Sequence, residues 1–434
     1  MEEIRHTDNA QKVSHDINAN LAEIGSQSTV SHESDAGSIC RVLNGALGGE
    51  LSTDMTAVGF CSELNALFEQ ASEKNTFKFL HFSDTHGYPS APQKAYQLIM
   101  ADSDYKFAIT TGDTGSYTYD FGSYEQLNLL AGENKLLMIA GNHDAYDSVF
   151  VNPQSASQAA CTARIHSFIG GNVVWGDAEN NVPITASYWY KDFPVNGGAT
   201  LRVIGIDQYE RDSFPYFSNY GLVYTTKQLE WLVSRLKELS SDDFVIVAIH
   251  EPQINRSAAA VASLKPTAPY DNSLLFVTEY LNSNNVWNTR AECIPGIIHA
   301  YMTRGRYANS YSISGVTASI DADFTDIAPA TFLCYLSGHS HCDMTQYIAE
   351  SDYSQQLNLG ITAADTYVTH SGDDDLGGSG SPASPVNEER YRINEVELDF
   401  ERETIKVTRI GARNTAGGRV RDQITFPFKK GGEQ

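Results

Sequence analysis

From Phe77 onward, short apolar runs alternate with segments whose apolar residues have helical spacing. Lys78–Phe82 is predicted to form a strand, Gln93–Met100 a helix and Phe107–Thr111 the next strand. This alternation is typical of β-α-β units, in which helices connect and cover the strands of a sheet. The sequence therefore predicts an α/β domain over residues 76–434.

The same alternation continues toward the C terminus. The predicted elements are a helix at Tyr124–Leu130 and strands at Leu136–Ala140, Leu201–Ile206, Phe244–Ile249, Phe332–Leu336, Asn394–Phe400 and Thr404–Ile410. A capping box of Thr225 and Gln228 predicts the start of a further helix. The last two strands are expected to pair within residues 391–410. Before them, residues 371–387 are rich in Gly, Ser, Pro and Asp and are predicted to form a mobile loop.

Residues 1–75 have a different composition, which is polar and rich in Ser and Asn. Short stretches of helical spacing predict a partly helical N-terminal appendage. In Cys61–Ala71, the apolar residues Leu64, Leu67 and Phe68 share one helical face. The appendage is therefore expected to dock on its own domain or on a larger assembly, or to mediate oligomerisation.

Charge and composition limit the partners and the location. The chain has 30 Lys and Arg against 54 Asp and Glu, a net charge of -24, which disfavours a nucleic-acid partner. No apolar run approaches the ~20 residues that a membrane span needs, and no secretory signal is recognisable at the start. We therefore expect a cytoplasmic or virion-associated protein. Its six scattered cysteines are interpreted as free thiols rather than disulfides or a zinc site.

Five polar clusters follow predicted strands, with the motifs SDTHG, TGDTG, GNHDAYD, IHEP and SGHSH. Their candidate functional residues are Asp84, His86, Asp113, Asn142, His143, Asp144, His250, His339 and His341. Loops at the carboxyl ends of strands are where open α/β sheets bind ligands, so distant clusters can converge there. Because residues i and i+2 of a strand point the same way, the D-x-H and H-x-H spacings can each direct two side chains at one point.

The residue types in these clusters are those of a metal site. Carboxylate oxygen, imidazole nitrogen and an Asn carbonyl suit Mn²⁺, Fe²⁺ or Zn²⁺, and the absence of cysteine disfavours a structural zinc site. Singly, D-x-H or G-D after a strand is more typical of a capped turn. Together they offer more ligands than one tetrahedral ion needs, which predicts two divalent transition metal ions. Four histidines outside the clusters are interpreted as ordinary core or surface residues: His81, His166, His299 and His370.

The order D-x-H, G-D, G-N-H-[DE], a lone His and G-H-x-H resembles the calcineurin-like metallophosphoesterase family, over about Phe77 to Ile410. The resemblance implies two packed mixed β-sheets flanked by helices, with a dinuclear metal centre at the strand ends. It implies that one metal is bound by Asp84, His86 and His341, the other by Asn142, His250 and His339, and that Asp113 bridges them.

The same resemblance implies the catalytic roles. Two divalent ions about 4 Å apart can hold a bridging hydroxide that attacks phosphorus in line. His143 resembles the family's catalytic histidine and is the candidate general acid, and Asp144 could hold its ring and raise its pKa. The expected activity is hydrolysis of a small phosphate mono- or diester.

Two family signatures are missing. Ser116 stands where the purple acid phosphatase branch has a metal-binding tyrosine, and Tyr117 is one position out of phase. The G-D-x-V-D-R-G run of protein Ser/Thr phosphatases is also absent. Both a tyrosinate-iron site and a phosphoprotein substrate are therefore disfavoured.

Substrate specificity is expected to depend on Asp147–Thr200 and Glu251–Asp326, which lie between the motifs. The aromatic run Ser187–Phe193 either stacks a base or sugar or forms an amphipathic strand, and the second interpretation is favoured. Arg304 and Arg306 either meet a phosphate or form an exposed pair with no catalytic role, and again the second is favoured.

Two alternatives of other classes stay open. One is a nuclease of the same superfamily, which would need a basic or aromatic channel. The other is a structural or attachment protein of a virion or cell surface that carries a phosphoesterase domain, since the main domain is similar to enzymes of gut bacteria and their phages. The full set of polar groups at the strand ends favours an active enzyme, because such groups are costly to bury without a role.

Deletion of residues 1–75 is expected to spare hydrolysis, because every candidate catalytic residue follows Phe77. The test compares full-length and truncated protein on bis-p-nitrophenyl phosphate. If the circular dichroism spectrum of the truncated chain is that of an unfolded protein, the appendage belongs to the core.

Overall fold

The structure, a computed structural model, describes residues 76–114, 122–141, 144, 158–176, 186–195, 198–210, 223–251, 293–313, 316–339, 344–346, 360–362, 391–411 and 423–428. The described residues from Phe77 onward belong to one compact unit. The predicted appendage (residues 1–75) and the predicted mobile loop (371–387) lie outside the described residues, so both stay predictions. No helix in the described ranges is long and apolar enough to cross a membrane.

The first sheet has six strands in the order β15-β14-β13-β1-β2-β3. Its strands are β1 (Thr76–Phe82), β2 (Tyr105–Thr110), β3 (Leu136–Met138), β13 (Arg392–Asp399), β14 (Thr404–Gly411) and β15 (Gln423–Pro427). β1, β2 and β3 are parallel, whereas β13, β14 and β15 pair antiparallel. The associated helices are α1 (Ser90–Ala101), α2 (Gly122–Gly132) and α3 (Gln158–Ile169), followed by a 3-10 turn at Gly170–Asn172.

The second sheet has seven strands in the order β11-β12-β10-β7-β6-β5-β4. Its strands are β4 (Val174–Trp175), β5 (Trp189–Pro194), β6 (Thr200–Gly205), β7 (Phe244–Ala248), β10 (Thr331–Ser337), β11 (Met344–Gln346) and β12 (Gly360–Thr362). β6, β7, β10 and β12 are parallel neighbours, and the outer strands pair antiparallel. Helices α4 (Thr226–Lys237) and α5 (Cys293–Met302) and a hairpin of β8 (Arg306–Ile313) and β9 (Val316–Asp323) complete this half.

Two hydrophobic cores bury both faces of the second sheet. The larger core runs from α1, α2 and α3 through the first sheet to the inner face of the second, where it includes Ile246 of β7. The other core lies between the outer face, which includes Val245 and Val247, and the residues of α4, α5 and the hairpin. Burial on both faces explains why Phe244–Ala248 is a continuous apolar run.

The two mixed, helix-flanked sheets confirm the predicted fold class. Each predicted strand and helix of the described residues is present, and no end is shifted by more than three residues. Thr225 caps α4 as predicted, because its side chain accepts the backbone N–H of Gln228 at 3.2 Å. Elements that were not predicted include α3, β4, α5, the β8-β9 hairpin and β15.

Candidate metal centre

Five of the candidate ligands follow the carboxyl ends of four strands. Asp84 and His86 come after β1, Asp113 after β2, His250 after β7 and His339 after β10. The first two strands are parallel neighbours in one sheet, and the last two are parallel neighbours in the other. Parallel strands end at a common edge, so each sheet contributes its ligands on one side.

The five side chains form two groups that share one residue. Ligand atoms of Asp84, His86 and Asp113 lie within 4.8 Å of one another, and the same holds for Asp113, His250 and His339. Four of the five side chains are buried and His339 is half-buried. Each group therefore has ligand atoms close enough together to hold a cation, and Asp113 belongs to both groups.

Three further candidates lie outside the described residues: Asn142, His143 and His341. Their assignments as ligands and general acid therefore stay predictions. Gly141 and Asp144, which flank Asn142 and His143 in the chain, are described and buried.

The backbone of this site is strained. Seven non-glycine residues of the described ranges have positive φ, and four of these are candidate ligands. Their φ values are 50° for Asp84, 45° for His86, 52° for Asp113 and 67° for His339. Each such conformation costs roughly 1–3 kcal/mol for a residue with a side chain, and strain of this kind clusters at functional sites.

This geometry corrects the reason given for the D-x-H spacing. β1 ends at Phe82, so Asp84 and His86 lie in a loop rather than in a strand. Their convergence comes from left-handed backbone conformations and not from the two-residue repeat of a strand. The spacing selected two side chains that do lie together, although in a loop and not in a strand.

Glycines allow the ligand-bearing loops to approach one another. A Cβ on Gly141 would lie 2.3 Å from the backbone nitrogen of Asp113, and one on Gly338 would lie 2.4 Å from Oδ2 of Asp84. A Cβ on Gly112, which has φ of +103°, would lie 2.7 Å from Nδ1 of His250. These contacts are shorter than real Cβ atoms show, so the close approach needs glycine at all three positions.

The loops are also joined by hydrogen bonds across the two sheets. Both carboxylate oxygens of Asp84 accept the backbone N–H of His339, at 2.9 and 2.8 Å. The backbone N–H of Asp84 donates to the carbonyl of Gly112 at 3.0 Å. Asp84 therefore connects the end of β1 both to the neighbouring loop after β2 and to the end of β10 in the other sheet.

His250 is held in one orientation. Its Nδ1 lies 2.7 Å from the carbonyl oxygen of Thr111, so Nδ1 carries the proton and Nε2 faces Asp113. The Nε2 atom is 3.3 Å from Oδ2 of Asp113. This is the usual arrangement of a metal-binding histidine, in which the second nitrogen donates to a carbonyl.

The electrostatics of the site favour positive charge. Burial raises the pKa of the Asp84 carboxyl, although the charge of His250 opposes the shift. Burial lowers the pKa of His250, but the charge and hydrogen bond of Asp113 outweigh it and raise that pKa to about 10. Buried carboxylates that draw a proton onto a neighbouring imidazole would draw divalent cations in the same way. The oxygen and nitrogen donor set therefore fits Mn²⁺, Fe²⁺ or Zn²⁺.

Asp144 has a structural role that the sequence did not reveal. Its Oδ2 accepts the backbone N–H of Asp113 at 2.8 Å and of Gly141 at 2.7 Å. Its Oδ1 accepts the N–H and the hydroxyl of Thr114, at 2.9 and 2.7 Å. The carboxylate thus fastens the loop after β2 to the loop after β3. The proposed pairing of Asp144 with His143 stays a prediction.

Thr111 and Gln208 are two further supporting residues that sequence reasoning missed. Thr111 acts through its carbonyl, which every residue type has, so no motif could reveal it. The side chain of Gln208 accepts the N–H of Glu251 at 2.5 Å and donates to its carbonyl at 3.0 Å. It therefore fixes the backbone next to His250, from a turn after β6 that the local sequence does not connect with His250.

The predicted specificity segments are described only in part. Within Ser187–Phe193, Tyr188 and Trp189 are buried and Trp189 begins β5, which agrees with the strand interpretation. Arg306 forms an exposed ion pair with Asp323 at 2.6 Å, and Arg304 lies in the turn before β8. The favoured interpretation of an exposed arginine pair agrees with this geometry.

Replacing Asp144 with Asn is expected to destabilise the protein by about 2–4 kcal/mol, since an amide offers one acceptor oxygen where the carboxylate offers two. The measurement is urea unfolding of the metal-free protein. Asp242→Asn is the control, because Asp242 is exposed in the turn before β7. Equal unfolding midpoints for Asp144→Asn and the wild type would contradict the anchoring role.

Comparisons with solved structures give distant likenesses. A predicted phosphoesterase from Streptococcus pneumoniae TIGR4 has a TM-score of 0.25 at 9% identity, over 82% of this chain and 98% of its own. The phosphopantetheinyl hydrolase of Mycobacterium tuberculosis has a TM-score of 0.34 at 12% identity, over 66% of this chain and 89% of its own. The sulfate thiohydrolase SoxB of Thermus thermophilus, in complex with glycerol, has a TM-score of 0.30 at 11% identity, over 74% of this chain and 53% of its own. None of the three is a close structural match.

None of the curated proteins matches the sequence. The family model for calcineurin-like phosphoesterases, in contrast, matches residues 77–343. That range is more than half of the chain and runs from β1, before Asp84, to the residues just after His341. The converging ligands and the match over all five polar clusters agree, and the chain belongs to the calcineurin-like phosphoesterase family.

Proposed function

We propose that this protein hydrolyses a small phosphate mono- or diester at a centre of two divalent transition metal ions. Family membership and the two clusters of candidate ligands support phosphoester hydrolysis in general. One cation would be held by Asp84, His86, Asp113 and His341, and the other by Asp113, Asn142, His250 and His339.

The observation that carries the proposal is the position of Asp113. Its carboxylate belongs to both groups of ligand atoms that lie within 4.8 Å of one another. A residue shared by two groups of candidate ligands is expected of a bridging ligand, since a mononuclear site needs only one such group. The backbone of Asp113 is strained, yet the Asp144 carboxylate holds its N–H.

The residues around the cations prepare the site before substrate arrives. When bound, the two ions supply Lewis acidity, which activates water and neutralises the charge of the phosphoryl group. The Asp84 carboxylate fixes the distance between the two sheets, and the Thr111 carbonyl keeps Nε2 of His250 toward Asp113. His143 would donate the proton that the leaving oxygen needs.

The charge of the chain supports a small substrate rather than a polymer. A net charge of -24 repels a polyphosphate backbone, whereas one phosphoryl group can be attracted locally by bound cations. The substrate is therefore proposed to be a small molecule with one reacting phosphate ester.

Replacing Asp113 with Ala is expected to remove hydrolysis of bis-p-nitrophenyl phosphate and to lower the metal content, because both groups lose their shared ligand. Activity should be measured with Mn²⁺, Zn²⁺, Fe²⁺ and Mg²⁺ in parallel, together with elemental analysis. Asp242→Ala serves as the exposed control. Full activity of Asp113→Ala would exclude the two-metal site.

Replacing His143 with Ala is expected to slow turnover by about 10²–10⁴-fold, because a general acid is lost, and to leave the metal content unchanged. The loss should be smaller for a p-nitrophenyl ester than for an alkyl ester, since p-nitrophenolate leaves without protonation. Equal losses on the two esters would contradict the role as general acid.

A further inference from the structure

His81 is a polar residue in the core between the sheets. Alternate residues of a strand share a face, so Phe77, Phe79 and His81 of β1 point to the same side. The ring of Phe79 stacks on that of Phe107 with the ring centroids 4.8 Å apart, and the ring of Phe77 contacts that of Phe193, in the other sheet, with the centroids 5.4 Å apart. His81 is fully buried at the end of this column. An apolar ring would satisfy the packing there, so the imidazole requires a different explanation.

The ring of His81 contacts residues of β13 and β10 and the first residue after β2. Its Nε2 lies 3.0 Å from the hydroxyl of Thr111, after β2, and its Nδ1 lies 3.4 Å from the side-chain nitrogen of Asn394, on β13. The backbone of Ser337, on β10 of the second sheet, also forms a hydrogen bond with it. One side chain therefore links both neighbours of β1 and the facing sheet.

The direction of these hydrogen bonds follows from Arg409. A guanidinium only donates, so the Asn394 oxygen that accepts from Arg409 leaves the amide nitrogen facing His81. Nδ1 of His81 then accepts, and the one N–H of the neutral ring, on Nε2, is the donor available to Thr111 and to the Ser337 backbone. Burial, with the charge of Arg409, lowers the pKa of His81 to about 3, although the bond with Ser337 opposes the shift. The ring is consequently neutral at physiological pH.

The contacts of His81 lie next to the candidate metal ligands in the chain. Thr111 precedes Asp113 by two residues, and its carbonyl accepts from Nδ1 of His250 at 2.7 Å. Ser337 precedes His339 by two residues. A movement of the ring would therefore shift ligands from both groups.

We propose that His81 is a positioning residue: through the Thr111 hydroxyl and the Ser337 backbone, it holds the chain segments at the ends of β2 and β10 at the separation that two cations require. This inference rests on the proposed function, because it concerns the geometry of the metal centre. Without the ring nitrogens, the loops after β2 and β10 lose the hydrogen bonds that connect them through His81. Asp113 and His339, which lie in these loops, then no longer converge as closely. Metal affinity and turnover fall, while substrate affinity changes little.

The test replaces His81 with Phe, which keeps an aromatic ring and removes both nitrogens. Cobalt-loaded protein reports ligand geometry through its visible absorption spectrum, and competition titration gives the metal affinity. The expected result is an altered Co²⁺ spectrum, a 10- to 100-fold loss of affinity and a similar fall in kcat, about as for other residues that orient metal ligands. KM should stay within about twofold.

His81→Gln is expected to recover part of the affinity, since its amide can still donate toward Thr111. His166→Gln is the matched control: His166 is half-buried in α3 and bonds the carbonyl of Ala186. The visible absorption spectrum of the Co²⁺-loaded His166→Gln variant, its Co²⁺ affinity and its kcat should equal those of the wild type.

A His81→Phe protein with the wild-type Co²⁺ spectrum, affinity and kcat would overturn the inference. If this variant does not fold, as judged by circular dichroism, Thr111→Val decides, because it removes the hydroxyl that meets Nε2. A wild-type Co²⁺ spectrum and affinity in Thr111→Val would then overturn it, and an altered spectrum with weaker binding would support it. Wild-type protein that binds no Co²⁺ at all would contradict the proposed function instead.

Discussion

The hydrogen bonds from the His339 backbone N–H to the Asp84 carboxylate are the interaction on which the site depends. They join residues 255 positions apart in the chain and connect the ends of two strands in different sheets. Gly338 makes the approach possible, because a Cβ there would overlap the Ser83 side chain. With the two ends fixed, ligands from four strands face the same space.

The convergence of so many polar groups requires a rigid scaffold. Four candidate ligands have left-handed backbone conformations, and several carboxylates and imidazoles are buried side by side. Both are unfavourable in isolation. Strands such as β7, which is apolar on both faces, and the anchoring carboxylate of Asp144 hold these loops in place. The strain at the strand ends is thus opposed by packing in the strands and by hydrogen bonds in the loops.

The sequence predicted the features that depend on local patterns. The apolar run Phe244–Ile249 and the capping box of Thr225 and Gln228 each identified an element that the structure contains. β4, which has only two residues, was harder to recognise, because an element this short is defined by its pairing with β5. β15 likewise depends on the free edge of β14.

The candidate ligands were predictable as residue types, but their supporting contacts were not. Asp84 and His86 were chosen for their spacing in a strand, whereas they lie in a strained loop beyond it. The anchoring bonds of Asp144 and the Thr111 carbonyl join residues about 30 and 139 positions apart in the chain. His81 was interpreted as an ordinary core or surface residue, because its links to Thr111 and Asn394 exist only after the strands are assembled. The types of the candidate ligands can thus be predicted from local sequence, whereas their arrangement depends on the tertiary structure.

The most direct measurement is anomalous X-ray diffraction, at the absorption edges of Mn, Fe and Zn, from crystals of catalytically active protein. Two anomalous peaks are expected, one beside Asp84 and His86 and the other beside His250 and His339, each at about 2.0–2.3 Å from its ligand atoms. Asp113 should contact both peaks. A single peak, or active crystals with no transition metal at these residues, would contradict the dinuclear centre.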